Sequence, residues 1–137
     1  MNLLDNEIIY ASPEISAGSV KWLWHSNYWD GPLNGMVKIK DNEYWVEYFD
    51  ETTSHVVEPL RKYAVFKLTP EQQESEEFWH ELFRVCVGHH STYDDNGRRY
   101  SFASSGTKFS MSFFYGRHRK DKKELDFSKA ELIGWFK

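Results

Sequence analysis

Two runs of alternating residues, Met36–Lys40 and Glu43–Phe49, flank the dipeptide Asp41-Asn42. No other stretch constrains the fold so tightly. Successive strand side chains point to opposite faces, and Asp-Asn suits a tight reversal, so the segment predicts an antiparallel hairpin. With Asp41-Asn42 as the loop, Lys40 opposes Glu43, Ile39 opposes Tyr44, Lys38 opposes Trp45 and Val37 opposes Val46. Val37, Ile39, Tyr44, Val46 and Tyr48 then share one apolar face, and Lys38 and Trp45 share the other. A slip of one residue would exchange the faces, which makes the register a sharp expectation.

The flanking chain carries further strand signals. Val20, Trp22 and Trp24 alternate with Lys21, Leu23 and His25, and Tyr63–Leu68, Phe109–Tyr115 and Leu132–Phe136 read as additional strands. Residues 1–19 show no sustained period and read as an irregular lead-in broken by Pro13 and Gly18. Asn27–Asn34, with Asp30-Gly31-Pro32 at its centre, reads as a structured turn. Thr69-Pro70-Glu71-Gln72 predicts a helix start: Thr69 caps, Pro70 suits the first helical position, and Gln72 completes a capping box. The helix should run through Val87 and stop at Gly88, a residue suited to a left-handed cap. Phe78, Trp79, Leu82, Phe83, Val85 and Cys86 would form its apolar stripe, with Glu71, Glu74, Glu77 and Glu81 outward. The expected fold is α+β: one domain over residues 1–137, with a twisted antiparallel sheet and one main helix packed on it. A partly closed barrel is the alternative.

A chain of 137 residues with 18% aromatic content has ample material for such a core. The single cysteine excludes an internal disulfide and any zinc site built on several thiolates, and it favours a reducing, cytoplasmic setting. The N-terminus has neither a basic region nor a long apolar run, and no stretch is apolar enough to span a membrane. Charge is uneven. Residues 1–60 carry three lysines against ten acids, a net of −7, while the remainder carries +3. An acidic half would repel phosphate, which argues against nucleic acid as a partner.

Motifs that carry chemistry are incomplete. His80-Glu81 lacks the second imidazole one turn on that a metalloprotease helix requires. Asp94–Gly97 lacks the alternating oxygen ligands of a calcium loop. No metal site and no cofactor are therefore expected. Cys86 falls on the helix stripe and reads as a core thiol. Gly-x-Ser-x-Gly and phosphate-cradling glycine loops are absent from the sequence. The paired acids Asp50-Glu51 and Glu76-Glu77 read as solvated charge. His80, His89, His90 and Asp94 remain as a polar grouping from which a small His/carboxylate hydrolase could be built. Arg117, His118, Arg119, Lys120, Lys122 and Lys123 form one dense basic stretch, which reads as a solvated loop. Its alternative use is to hold single-stranded nucleic acid by charge and stacking.

The string Tyr28-Trp29-Asp30-Gly31-Pro32-Leu33, with Gly35 and Tyr44-Trp45, is similar to a family of small uncharacterised bacterial proteins. Leu68-Thr69-Pro70-Glu71, Trp79-His80-Glu81-Leu82-Phe83 and Tyr93-Asp94-Asp95-Asn96-Gly97 look like parts of the same pattern, which covers residues 22 to about 100. The resemblance implies a bacterial source and transfers no activity and no site residue.

The leading expectation is a non-catalytic binding module that recognises another protein through an acidic, aromatic surface. Trp24, Tyr28, Trp29, Asp30 and Trp45 are its candidate contact residues, because rings anchor interfaces and negative charge steers a basic partner. An immunity-like protein that neutralises a basic target would be one instance.

Overall fold

The computed structural model describes residues 4–28, 31–52, 60–86, 92–93, 99–100, 117–118 and 120–137. In chain order its elements are α1 (Asn6–Ala11), a 3-10 turn (Ala17–Ser19), β1 (Val20–Tyr28), β2 (Pro32–Ile39), β3 (Asn42–Thr52) and β4 (Leu60–Lys67). These are followed by α2 (Pro70–Cys86), β5 (Thr92–Tyr93), β6 (Arg99–Tyr100) and β7 (Glu131–Phe136). The strands form one antiparallel sheet in the order β6-β5-β1-β2-β3-β4-β7. Five long strands make its body, and the two-residue strands β5 and β6 extend it beyond β1. The order is linear, so the sheet is open and does not close into a barrel. The fold is α+β, a twisted sheet with one main helix.

The predicted hairpin is β2–β3, with a register that differs from expectation. Ile39 opposes Asn42, Lys38 opposes Glu43, Val37 opposes Tyr44 and Met36 opposes Trp45. The reversal is therefore made by Lys40 and Asp41, and Lys40 adopts φ 57°. A two-residue hairpin loop needs positive φ there, and Lys40 accepts it despite carrying a Cβ. Each partner shifts by two residues relative to the expectation, so every side chain stays on its expected face.

That parity sorts the core. Val37, Val46, Tyr63, Val65 and Phe136 cluster on one face, with Ile39, Tyr44 and Tyr48 packed beside them. Each fully buried valine there stabilises the fold by roughly 2 kcal/mol. The opposite face carries Trp24, Met36, Trp45, Phe49, Ala64 and Phe66, covered by Ile9 of α1, by Leu68, and by Phe127. Gly35 lets β1 and β2 approach: a Cβ there would lie 2.2 Å from the Trp24 carbonyl oxygen.

The lead-in is more ordered than its sequence suggests. Asp5 caps α1, its carboxylate accepting the Glu7 backbone N–H at 2.8 Å. Residues 13–15 then run along the edge of β7. Ile15 N–H donates to the Trp135 carbonyl at 2.7 Å, and Trp135 N–H donates to that of Pro13 at 3.0 Å. Gly134 permits this, because a Cβ would lie 2.4 Å from the Pro13 oxygen.

α2 starts as predicted. Gln72 N–H donates to Thr69 Oγ1 and Thr69 N–H donates to Gln72 Oε1, both at 3.1 Å. Gln72 Nε2 also donates to the Asp126 carbonyl at 2.9 Å, tying the helix start to the segment before β7. The expected stripe needs correction. Trp79 is buried, but Phe78 is 59% exposed and Glu76 lies inward at 3%. The buried face follows Gln72, Glu76, Trp79 and Phe83, spaced by three and four residues, and Phe78 falls off it. The predicted stop at Val87-Gly88 and the predicted strand over Phe109–Tyr115 lie outside the described residues.

Candidate functional site

Alternation along β3 places Trp45 and Glu47 on the same face of the sheet, the one that carries α2. Most side chains on that face are apolar, so Glu47 brings a carboxyl into the core layer. It is 5% exposed. Asn34, directly opposite on β2, donates from Nδ2 to Glu47 Oε1 at 3.3 Å. Glu47 Oε2 has no hydrogen-bond partner among the described residues. The Trp45 indole N–H bears on the same carboxyl, but it forms no well-directed hydrogen bond.

Glu76 approaches from α2. Its carboxylate is held by Lys122, whose Nζ lies 2.9 Å from Oε2. The contact is an ion pair whose angle falls short of a directional hydrogen bond. Lys122 directly follows a helical turn containing Arg117, His118, Lys120 and Asp121, and its N–H donates to the His118 carbonyl at 3.1 Å. Within that turn Arg117 pairs with Asp121 at 2.9 Å, and the His118 ring meets Trp79 edge-on at 5.3 Å.

These side chains border a half-open cavity of about 320 Å³, whose lining includes Asn34, Trp45, Glu47, Glu76, His118, Lys122 and Phe127. Its electrostatics follow from burial. Desolvation pushes the Glu47 carboxyl up to about 7, and the Glu76 charge adds to the rise. The Asn34 bond, the nearby Trp45 N–H and the Lys122 charge offset only part of it. Burial likewise lowers the His118 imidazole, helped by the Lys122 charge, which favours the neutral ring. The cavity therefore holds a carboxyl that burial raises to about 7 beside the Glu76–Lys122 ion pair. Among the described residues no group of three or more His, Cys, Asp or Glu is arranged to hold a metal ion.

The residues singled out from sequence are distributed differently. Trp24 is 9% exposed and stacks on His80 with centroids 4.2 Å apart. Trp45 is 2% exposed and meets Trp24 edge-on at 5.9 Å. Both indoles are core residues, and neither forms part of an exposed aromatic surface. The Tyr28 backbone pairs with Pro32 at the end of β1, and its side chain lies outside the description. Trp29, Asp30, His89, His90 and Asp94 also lie outside the described residues. His80 is half-buried against Trp24 and does not line the cavity.

Three residues of the cavity were not legible as a site. Glu76-Glu77 read as a solvated pair, yet the helix turns Glu77 outward and Glu76 inward. The basic stretch read as a solvated loop, yet Lys122 reaches the core layer. Glu47 had the clearest available signal, an acid two residues after Trp45 on a strand that alternates.

No family model matches the chain, no curated protein matches it, and no solved structure matches it. Among the described residues no helix is long and apolar enough to cross a membrane.

Proposed function

We propose that this protein is a non-catalytic binding module, and that its recognising element is the cavity between β2, β3, α2 and the 117–127 segment. The observation that carries the proposal is the placing of Glu47 and Trp45 in the cavity wall, each with a polar atom left without a partner among the described residues. An unmade buried hydrogen bond costs about 1–3 kcal/mol, and a guest that completes it recovers part of that cost. A protein partner in a cytoplasmic setting fits the same proposal, since a side chain could be the guest. The acidic, aromatic character inferred from sequence is then concentrated in a cavity and not spread over a surface. The basic stretch supports nucleic-acid binding less well than its composition suggests, because Arg117 and Lys122 are engaged by Asp121 and Glu76.

One observation favours a second reading, a small hydrolase of acid–base type. Glu47 titrates near 7 in a cavity that also contains an imidazole favoured in its neutral form, His118. A general acid or base works best at such a value. One experiment separates the two. Cationic, anionic and neutral small molecules and short peptides are screened against the protein while the Trp45 indole N–H resonance is followed. A binding module shifts that resonance with at least one class and returns the compound unchanged. A compound converted by the native protein but not by Glu47→Gln would transfer the assignment to the hydrolase. A silent resonance across all classes would remove both.

A further inference from the structure

The cavity has a specific charge deficit. Its ionisable lining comprises Glu47 on β3, Glu76 on α2, and His118, Lys122, Lys123 and Glu124 on the covering segment. Glu76 is matched by Lys122 at 2.9 Å. Lys123 and Glu124 are exposed, of opposite sign, and cancel at the rim. Asn34, which faces Glu47 from β2, is uncharged. Among the described residues of the lining, Glu47 is thus the buried carboxyl that no cation pairs directly; Lys122, held by Glu76, acts on it only as a nearby charge.

The chain also demonstrates which group fits. The Lys122 side chain, only 17% exposed, enters this space and sets its ammonium against a buried carboxylate. A guest of the same kind would lay its alkyl stem along the apolar part of the lining, which includes Trp45, Leu125 and Phe127, as long basic side chains do.

Resting on the binding-module reading, we infer that the cavity takes one alkylammonium or guanidinium head group, which pairs with Glu47 beside the Lys122–Glu76 ion pair. Neither a carboxylate nor a phosphate suits the position, because it would sit against the Glu47 carboxyl, and the buried cation Lys122 is already held by Glu76. The source is either a free amine or the lysine or arginine side chain of a partner, and both share this chemistry.

Proton and guest compete for the same carboxyl. Glu47 binds a proton with a midpoint of about 7, and the guest needs the ionised form. Affinity therefore rises with pH, by about tenfold between pH 6 and pH 8.

Titrations with butylammonium, butyrate, butanol and the blocked tripeptide acetyl-Gly-Lys-Gly-amide test this on the full chain. The readouts are the Trp45 indole resonance and calorimetry. Butylammonium or the tripeptide should bind saturably, about tenfold more tightly at pH 8 than at pH 6, and Glu47→Gln should abolish the response. Response to the tripeptide alone would identify a partner side chain, and response to butylammonium alone a free amine. Binding of butyrate or butanol with no response to either cation would overturn the inference and leave the binding module standing. Silence from all four probes would remove both. The pH profile of the native protein decides the matter even where Glu47→Gln fails to fold. A flat profile overturns the pairing with Glu47.

Discussion

Glu47 shows how much one side chain can set against its neighbours. A carboxyl placed where alternation calls for an apolar group is disfavoured as an anion, and its midpoint moves from 4.5 to about 7. The unfolded chain releases this proton earlier than the native protein does. The contribution of this group to stability is therefore greatest below about pH 4.5 and falls as pH rises to 7. The loss from this group is at most about 3 kcal/mol, from linkage. Glu47→Gln keeps an oxygen for Asn34 to donate to and removes the charge. Thermal melts should show Glu47→Gln more stable than the native protein at pH 8 and nearly equal to it at pH 4.5. Equal melting temperatures at pH 8 would contradict the burial argument. Gly35 is the opposite case, a residue needed for what it lacks. Gly35→Ala would drive a methyl into the Trp24 carbonyl, 2.2 Å away, and should destabilise by about 1–3 kcal/mol or more in urea unfolding.

Elements were legible in proportion to how local their causes are. The start of α2 was readable because Thr69, Pro70 and Gln72 act within one turn, and both bonds of the capping box form. Thr69→Ala should cost about 1 kcal/mol in chemical denaturation. The β2–β3 faces were readable from alternation alone, but the register was not, because nothing in the sequence marks Lys40 for positive φ. α1 escaped detection because its six residues show no period, and Asp5 was its only cap signal. The cavity was the least legible part. Its members come from β2, β3, α2 and the segment before β7, and only the closed fold brings them within reach of one another. A mid-sequence acid such as Glu76 reads as solvated until the helix is docked and the inward face is known.

At the scale of the whole molecule, the segment running from Arg117 to Phe127 fastens α2 to the sheet. Lys122 grips Glu76, Asp126 accepts Gln72, and the Phe127 ring packs on Phe66 with centroids 4.7 Å apart. Lys122→Met would leave a buried carboxylate without its cation, which should cost on the order of 3 kcal/mol. Adding Glu76→Gln should recover most of that loss, since the pair then has no charge left to strand. Urea unfolding of the single and double variants measures the coupling. A double variant no more stable than the single would refute it.

The strip of chain at Pro13–Ile15 has an effect on what the protein can become. An uncapped outer strand offers its amides to any passing chain, its own copies included. Here the Trp135 amide and carbonyl are already spoken for by Pro13 and Ile15, so that margin is a poor template for sheet-to-sheet growth. Loosening the strip, with Gly134→Val for instance, should turn the same margin into a seam along which molecules associate.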